Sequence, residues 1–106
     1  MEISFVKYPD EKFNRLEFLL INYDYFDGNE LIARIMSEEF GFEIVRQFEG
    51  IWYKIIQINH DDSTYELLWH EDVGNSIYSL SQTDSENELL EERLKRVIEI
   101  LNERIV

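Results

Sequence analysis

Two triplets are the strongest candidates for chemistry: His60-Asp61-Asp62 and His70-Glu71-Asp72. Imidazole nitrogen combined with carboxylate oxygen is a ligand set that suits Zn, Mn or Fe. Their spacing argues against a shared centre. Read as a hairpin turning at Asp62, the chain puts His60 beside the turn and leaves His70 facing the neighbourhood of Lys54. The imidazoles are then separated by about 17 Å, at about 3.3 Å per residue. Metal ligands sit about 2 Å from the ion, so one ion cannot bridge them. Ordinary turn polarity is the better reading, and neither a metal nor a cofactor is expected.

Other catalytic machinery is also missing from the sequence. The absence of cysteine excludes disulfides, thiolate metal sites and thiol nucleophiles, and it fits a reducing compartment. No Gly-x-Ser-x-Gly elbow occurs, and neither histidine has a serine at a recognisable spacing. The four glycines stand singly, at 28, 41, 50 and 74, so no glycine-rich loop is available to cradle a phosphate. The 23 Asp and Glu make many chance carboxylate pairs, so no one pair argues for acid–base catalysis. The chain does not read as an enzyme.

The elements that would position these residues follow from periodicity. Glu2 to Tyr8 alternates and reads as a strand, and Pro9-Asp10 reads as a turn. Asn14 to Asp24 fits either a helix or a strand; its aromatic content and short length favour a strand paired with the first. Asp27 to Phe40 is a helix, with Asp27 and Glu30 placed for a capping box. Leu31, Ile32, Ile35, Met36 and Phe40 form its apolar stripe, and Gly41 ends it. Phe42 to Phe48 returns to period two. Strands then cover Ile51 to His60, Thr64 to His70 and Ser76 to Leu80, with turns at Glu49-Gly50, Asp61-Asp62-Ser63 and Asp72-Val73-Gly74-Asn75. Turns this short enforce antiparallel pairing.

The strand faces are mixed, with Trp52, Ile56 and Ile58 on one side and Ile51, Tyr53 and Ile55 on the other. Helices are therefore expected on one side of the sheet and an aromatic-bearing, partly covered surface on the other. A last helix follows Ser81 to Ser85, with a capping box from Thr83 and Glu86 or from Ser85 and Glu88. Leu90, Leu94, Val97, Leu101 and Ile105 are its buried stripe, and Glu91–Lys95 and Glu92–Arg96 are spaced as ion pairs. The predicted architecture is one α+β domain over residues 1–106: an antiparallel sheet, a meander of about six strands, with two helices.

Charge is the strongest remaining signal. The formal net charge is −13, from 23 acids against 10 bases. From Ile55 through Glu92 there is no Lys or Arg, while Asp61, Asp62, Glu66, Glu71, Asp72, Asp84, Glu86, Glu88, Glu91 and Glu92 all fall there. Such a field disfavours direct contact with nucleic acid or anionic membranes. The meander divides these acids between its two ends. Asp61 and Asp62 lie at one end, near Asp84, Glu86 and Glu88. Glu71 and Asp72 lie at the other; if the Asp27 helix packs antiparallel to the strand that follows it, Asp24, Asp27 and Glu30 join them there, beside Tyr23, Tyr25, Phe26 and Trp69. Rings anchor and carboxylates steer at a tight interface with a basic protein. Candidate partner-binding residues are Asp61, Asp62, Glu71, Asp72, His60 and His70, then Asp24, Tyr25 and Asp27. The opening Met-Glu-Ile-Ser and the short apolar runs carry no secretory or spanning signal, so a cytoplasmic protein, monomeric or homodimeric, is expected.

In size, charge and architecture the whole chain resembles the immunity proteins of bacterial toxin–immunity systems, contact-dependent growth inhibition included. No diagnostic motif carries this resemblance, and no residue role transfers with it. The resemblance implies a protein that binds a cognate toxin domain, often a nuclease with a basic cleft, and occludes its active site. The alternative is an acidic adaptor or nucleic-acid mimic that regulates a DNA-binding protein.

Overall fold

The computed structural model describes residues 2–105. Six strands form one antiparallel sheet in the order β1-β2-β6-β5-β4-β3. In chain order they are β1 (Ser4–Asp10), β2 (Arg15–Ile21), α1 (Gly28–Phe40), β3 (Glu43–Glu49), β4 (Tyr53–His60), β5 (Ser63–His70), β6 (Gly74–Ser79) and α2 (Asp84–Ile105). The ambiguous second segment is a strand, paired with β1 along its length. No helix among the described residues is long and apolar enough to cross a membrane.

Both helices lie on one face of the sheet, because only there do apolar side chains line up across neighbouring strands. Ile58 faces Tyr65, and Ile56 faces Leu67, which faces Ile77, which faces Phe18. All of these are buried against Ile32, Ile35 and Met36 of α1 and against Leu90, Leu94, Val97 and Leu101 of α2. Leu31 and Phe40 flank this core half-buried. The side chain of Ile105, expected on the same stripe, lies outside the described residues. Strand β6 sits centrally and is buried throughout.

Several local expectations are corrected. Pro9-Asp10 closes β1 instead of turning the chain; the turn comes at 11–14, with Asn14 at φ 52°. Proline is tolerated there because β1 is an edge strand, where a missing N–H need not break the ladder. Ile51 and Trp52 belong to the hairpin before β4, not to the strand. Gly74 and Asn75 belong to β6, because Gly74 pairs with His70 and closes a tighter turn. Strand β3 is bulged between Ile44 and Arg46, which breaks its period of two.

Caps and ion pairs also depart from local rules. Asp27 makes no side-chain capping bond; its backbone carbonyl accepts the Glu30 N–H instead. Gly41 adopts the expected left-handed conformation, φ 83°, and its N–H reaches the Ser37 carbonyl. Thr83 Oγ1 accepts the Glu86 N–H as an N-cap does, but the Glu86 carboxylate goes to Ser63 Oγ. Glu91–Lys95 forms at 3.6 Å, whereas Arg96 turns to Glu39 and Glu99 and leaves Glu92 unpaired among the described residues.

Core position and edge position should differ sharply in energy. Ile77→Ala, on the central strand, is expected to lower stability by about 3 kcal/mol in urea unfolding. Ile44→Ala, half-exposed on β3, should cost less than about 1 kcal/mol. Equal losses would contradict this placement of the core.

Candidate functional site

Three connections meet at one end of the sheet: residues 22–27 between β2 and α1, residues 50–52 between β3 and β4, and residues 71–73 between β5 and β6. Side chains of the sheet hold the first of them. Asn75 Nδ2 donates to the carbonyls of Tyr23 and Tyr25, at 3.1 and 3.0 Å. Trp69 Nε1 donates to the Asp24 carbonyl at 3.0 Å, and Tyr23 Oη donates to the Gly28 carbonyl at 2.9 Å. Burial, with the nearby Asp27 charge adding to it, pushes the Tyr23 hydroxyl up to about 12, so it remains a donor at any ordinary pH. The second and third connections are tied by the Glu71 N–H, which donates to the Trp52 carbonyl at 2.9 Å.

Two glycines make this closeness possible. A Cβ on Gly28 would stand 2.7 Å from Asn75 Nδ2 and 2.8 Å from the Tyr23 ring. Gly74 has φ +89° and lies directly against Asp24.

The result is a surface of acids and rings. Asp24, Asp27, Glu71 and Asp72 are exposed, and so are Tyr25, Phe26 and Trp52, each more than half exposed. Phe26 stands edge-on to Trp69, centroids 4.9 Å apart, and Tyr25 edge-on to Tyr23, 5.4 Å apart. The three connections contain no Lys or Arg. The one cation beneath them is Lys54, a buried side chain whose Nζ lies 4.1 Å from the Phe26 ring centre and 3.4 Å from Glu30. Asp24, Tyr25, Asp27, Glu71 and Asp72 are therefore brought together as the sequence suggested. Ile51, Trp52 and Val73, also exposed here, were not among the candidate residues. Residues 50–52 reach this end because Tyr53 pairs with His70 across the next hairpin.

The opposite end has a different character. Asp61 and Asp62 form the two-residue β4–β5 turn, with Asp61 at φ 51°. Glu86 reaches Ser63, so the start of α2 does come to this end. Of the rings here, Phe42 and Tyr65 are buried, and Arg93 donates to Ser63 Oγ and Tyr65 Oη at 3.0 and 2.8 Å. The exposed ring at this end, Phe13 on the β1–β2 turn, lies against Lys12 and Arg15, which makes this end the weaker docking candidate for a basic partner. Nor is the acidic stretch free of counter-charge once folded: Lys7 hydrogen-bonds Glu91 and holds its carboxyl below the ordinary value.

The histidines serve separate ends. His60 packs on Phe42, its Nε2 3.3 Å from Asp61. His70 Nδ1 accepts the Asp72 N–H at 3.1 Å, which orders the acidic turn. No group of three or more metal-ligating side chains converges among the described residues.

The uncovered sheet face holds a network that sequence reasoning missed. Glu17 is buried in β2, hydrogen-bonded to Asp10 and to Arg15 Nε at 2.9 Å. The Arg15 guanidinium lies 3.6 Å from the Tyr78 ring centre, and Tyr78 Oη donates to Glu66. Burial and the bond to Asp10 raise the Glu17 carboxyl, outweighing Arg15. At Asp10 slight burial pulls upward, but the bonds from Glu17 and from the Phe13 and Lys12 N–H groups win and lower it. Of the two carboxyls, Asp10 therefore ionises first as pH rises and Glu17 later. A carboxylate interrupting the apolar run Leu16-Glu17-Phe18 was the available signal.

Scans against protein-family models and searches of curated proteins and solved structures found no match to this chain.

The raised Glu17 carboxyl links stability to pH. Folding favours its protonated form, so its contribution is present below the ordinary glutamate value of about 4.3 and is lost as pH rises through the raised value. Glu17→Gln removes that titration while keeping a donor for Asp10. The variant's Tm minus the parent's should therefore grow more positive between about pH 4 and pH 7. A difference that stays flat, or reverses, in thermal scans would show that folding does not raise the Glu17 carboxyl.

Proposed function

We propose that this protein is an immunity protein that binds a cognate toxin domain through the end formed by residues 22–27, 50–52 and 71–73, and that it acts without catalysis. The observation that carries the reading is the convergence of exposed Tyr25, Phe26 and Trp52 with Asp24, Asp27, Glu71 and Asp72, in connections without a single Lys or Arg. Four carboxylates on one small surface repel one another, which a cationic partner relieves. Long-range attraction speeds encounter, and desolvated rings slow escape.

The partner this surface fits is a basic protein domain, such as a nuclease whose phosphate-binding cleft the acids would occupy. A net charge of −13 supports that complementarity. The protein then works in the cytoplasm, where such a toxin would act.

The test is co-purification with the product of the adjacent gene, followed by charge reversal. Asp24→Lys with Glu71→Lys and Asp72→Lys should slow association at least about tenfold and flatten its dependence on salt. Asp61→Lys with Asp62→Lys should change it less than about threefold. Trp52→Ala should speed dissociation by about thirtyfold, the mark of a buried anchor of about 2 kcal/mol. If the Asp61 end proves the sensitive one, or association ignores salt, the proposal fails. Capture of a DNA-binding regulator in place of a toxin would favour the mimic.

A further inference from the structure

The face of the sheet opposite the helices has no cover among the described residues, yet its middle row is apolar from edge to edge. Register places Val6 beside Leu19, Leu19 beside Ser76, Ser76 beside Leu68, Leu68 beside Ile55 and Ile55 beside Phe48. Val6 and Phe48 are 48% and 44% exposed, and Leu19, Ile55 and Leu68 are half-buried. Tyr8 on one flanking row, and Ile21 and Tyr53 on the other, are also exposed. A contiguous apolar face of this extent marks an interaction surface.

Charge argues against a basic partner for it. Strand alternation turns two cations, Arg15 and Arg46, and three acids, Asp10, Glu17 and Glu66, onto this face. Its strands therefore carry one net negative charge of the chain's thirteen. Arg15 is paired with Glu17, Glu66 accepts from Tyr78, and Arg46 lies 5.0 Å from the Phe48 ring centre. A nearly neutral, apolar face is best covered by another of the same kind.

Strand order supplies the complementarity. A two-fold axis along the strand direction lays the order β1-β2-β6-β5-β4-β3 over its own reverse. Strand β1 then lies over the partner's β3, β2 over its β4, and β6 over its β5. The middle row meets itself: Val6 against the partner's Phe48, Leu19 against the partner's Ile55, and the small Ser76 against the partner's Leu68. In the next row Arg46 meets the partner's Tyr8, a cation on a ring. Five strand spacings of about 4.8 Å and strands about 23 Å long give about 550 Å² in plan. Side chains standing above that plane bring the accessible area towards the roughly 800 Å² per partner of a stable complex.

We propose that this open face is the interface of a homodimer, two copies stacked sheet on sheet about that axis. The connections 22–27, 50–52 and 71–73 stand at the end of the sheet, beyond the strands, so the inference does not rest on the toxin-binding reading.

The acids outside the interface repel between copies, so the dimer should tighten as salt screens them. Sedimentation equilibrium of the full chain should give a micromolar or tighter Kd that falls at least about threefold between about 50 and 500 mM NaCl. Salt acts in the opposite sense on toxin association, which keeps the two results separable. Val6→Lys and Phe48→Glu, each at an exposed position, should singly raise Kd at least about tenfold while leaving the circular dichroism unchanged. Combined in one chain, they set opposite charges across the axis and should bind at least about threefold tighter than either alone. Positions 6 and 48 lie on opposite edges of one sheet, so no contact within a chain produces that rescue. A monomer at every salt concentration, a dimer indifferent to Val6→Lys, or a combined variant no tighter than the single ones would each overturn the proposal. So would a monomer whose Ile55 and Leu68 methyl signals shift only when the adjacent gene's product binds, which would give the face to that partner.

Discussion

The carbonyls of Tyr23, Asp24 and Tyr25, between β2 and α1, accept hydrogen bonds from side chains of the sheet, and this satisfaction governs the end of the protein where acids and rings gather. A buried peptide group without a hydrogen bond is costly. Asn75, Trp69 and Tyr23 meet that demand together, from two neighbouring strands and from the connection itself. The connection is thereby pressed against β5 and β6, which sets Asp24 on Gly74 and Phe26 on Trp69. Without those bonds the acids of residues 24–27 would belong to a loop of no particular relation to Glu71 and Asp72.

Charge is distributed unevenly for a reason that the fold makes plain. Arg96 and Arg104 of α2 pair with Glu39 and Glu38 of α1 and fasten the helices together, while Lys7 pairs α2 to the edge strand through Glu91. Exposed pairs of this kind contribute little each. Their main effect is on location: they hold Lys7, Arg96 and Arg104 on the helical side, and among the described residues the acidic end keeps Lys54, shielded beneath Phe26. A field left unbalanced by the chain's own residues opposes folding, and it is also the field that an approaching cationic protein meets first.

The sheet shows how one chain treats its two edges differently. At β1, Pro9 and the Lys7–Glu91 pair stand along the edge. At β3 a bulge and alternating charges do similar work, yet both faces stay open. Edge protection of this sort discourages pairing with stray strands.

The α+β class, the six antiparallel strands and both helical stripes were readable because they rest on local periodicity: Ile32, Ile35 and Met36 at helical spacing, and short turns that permit only antiparallel pairing. The gathering of Asp24, Asp27, Glu71 and Asp72 was readable too, since hairpin lengths decide which turns share an end and a helix antiparallel to the strand after it brings its start there. Details that depend on distant partners were not. Glu86 abandons its capping box for Ser63, Arg96 abandons Glu92 for Glu39, and Glu17 finds Asp10 across a hairpin whose turn lies beyond Pro9. In each case a local preference of a few tenths to about 1 kcal/mol yields to a tertiary contact with a better-placed or less hydrated group. Sequence determined which elements form and in what order they run. Only the folded chain decided that Trp52 stands beside Glu71 and that β3 goes uncovered, because register and helix placement are settled by packing across the whole sheet.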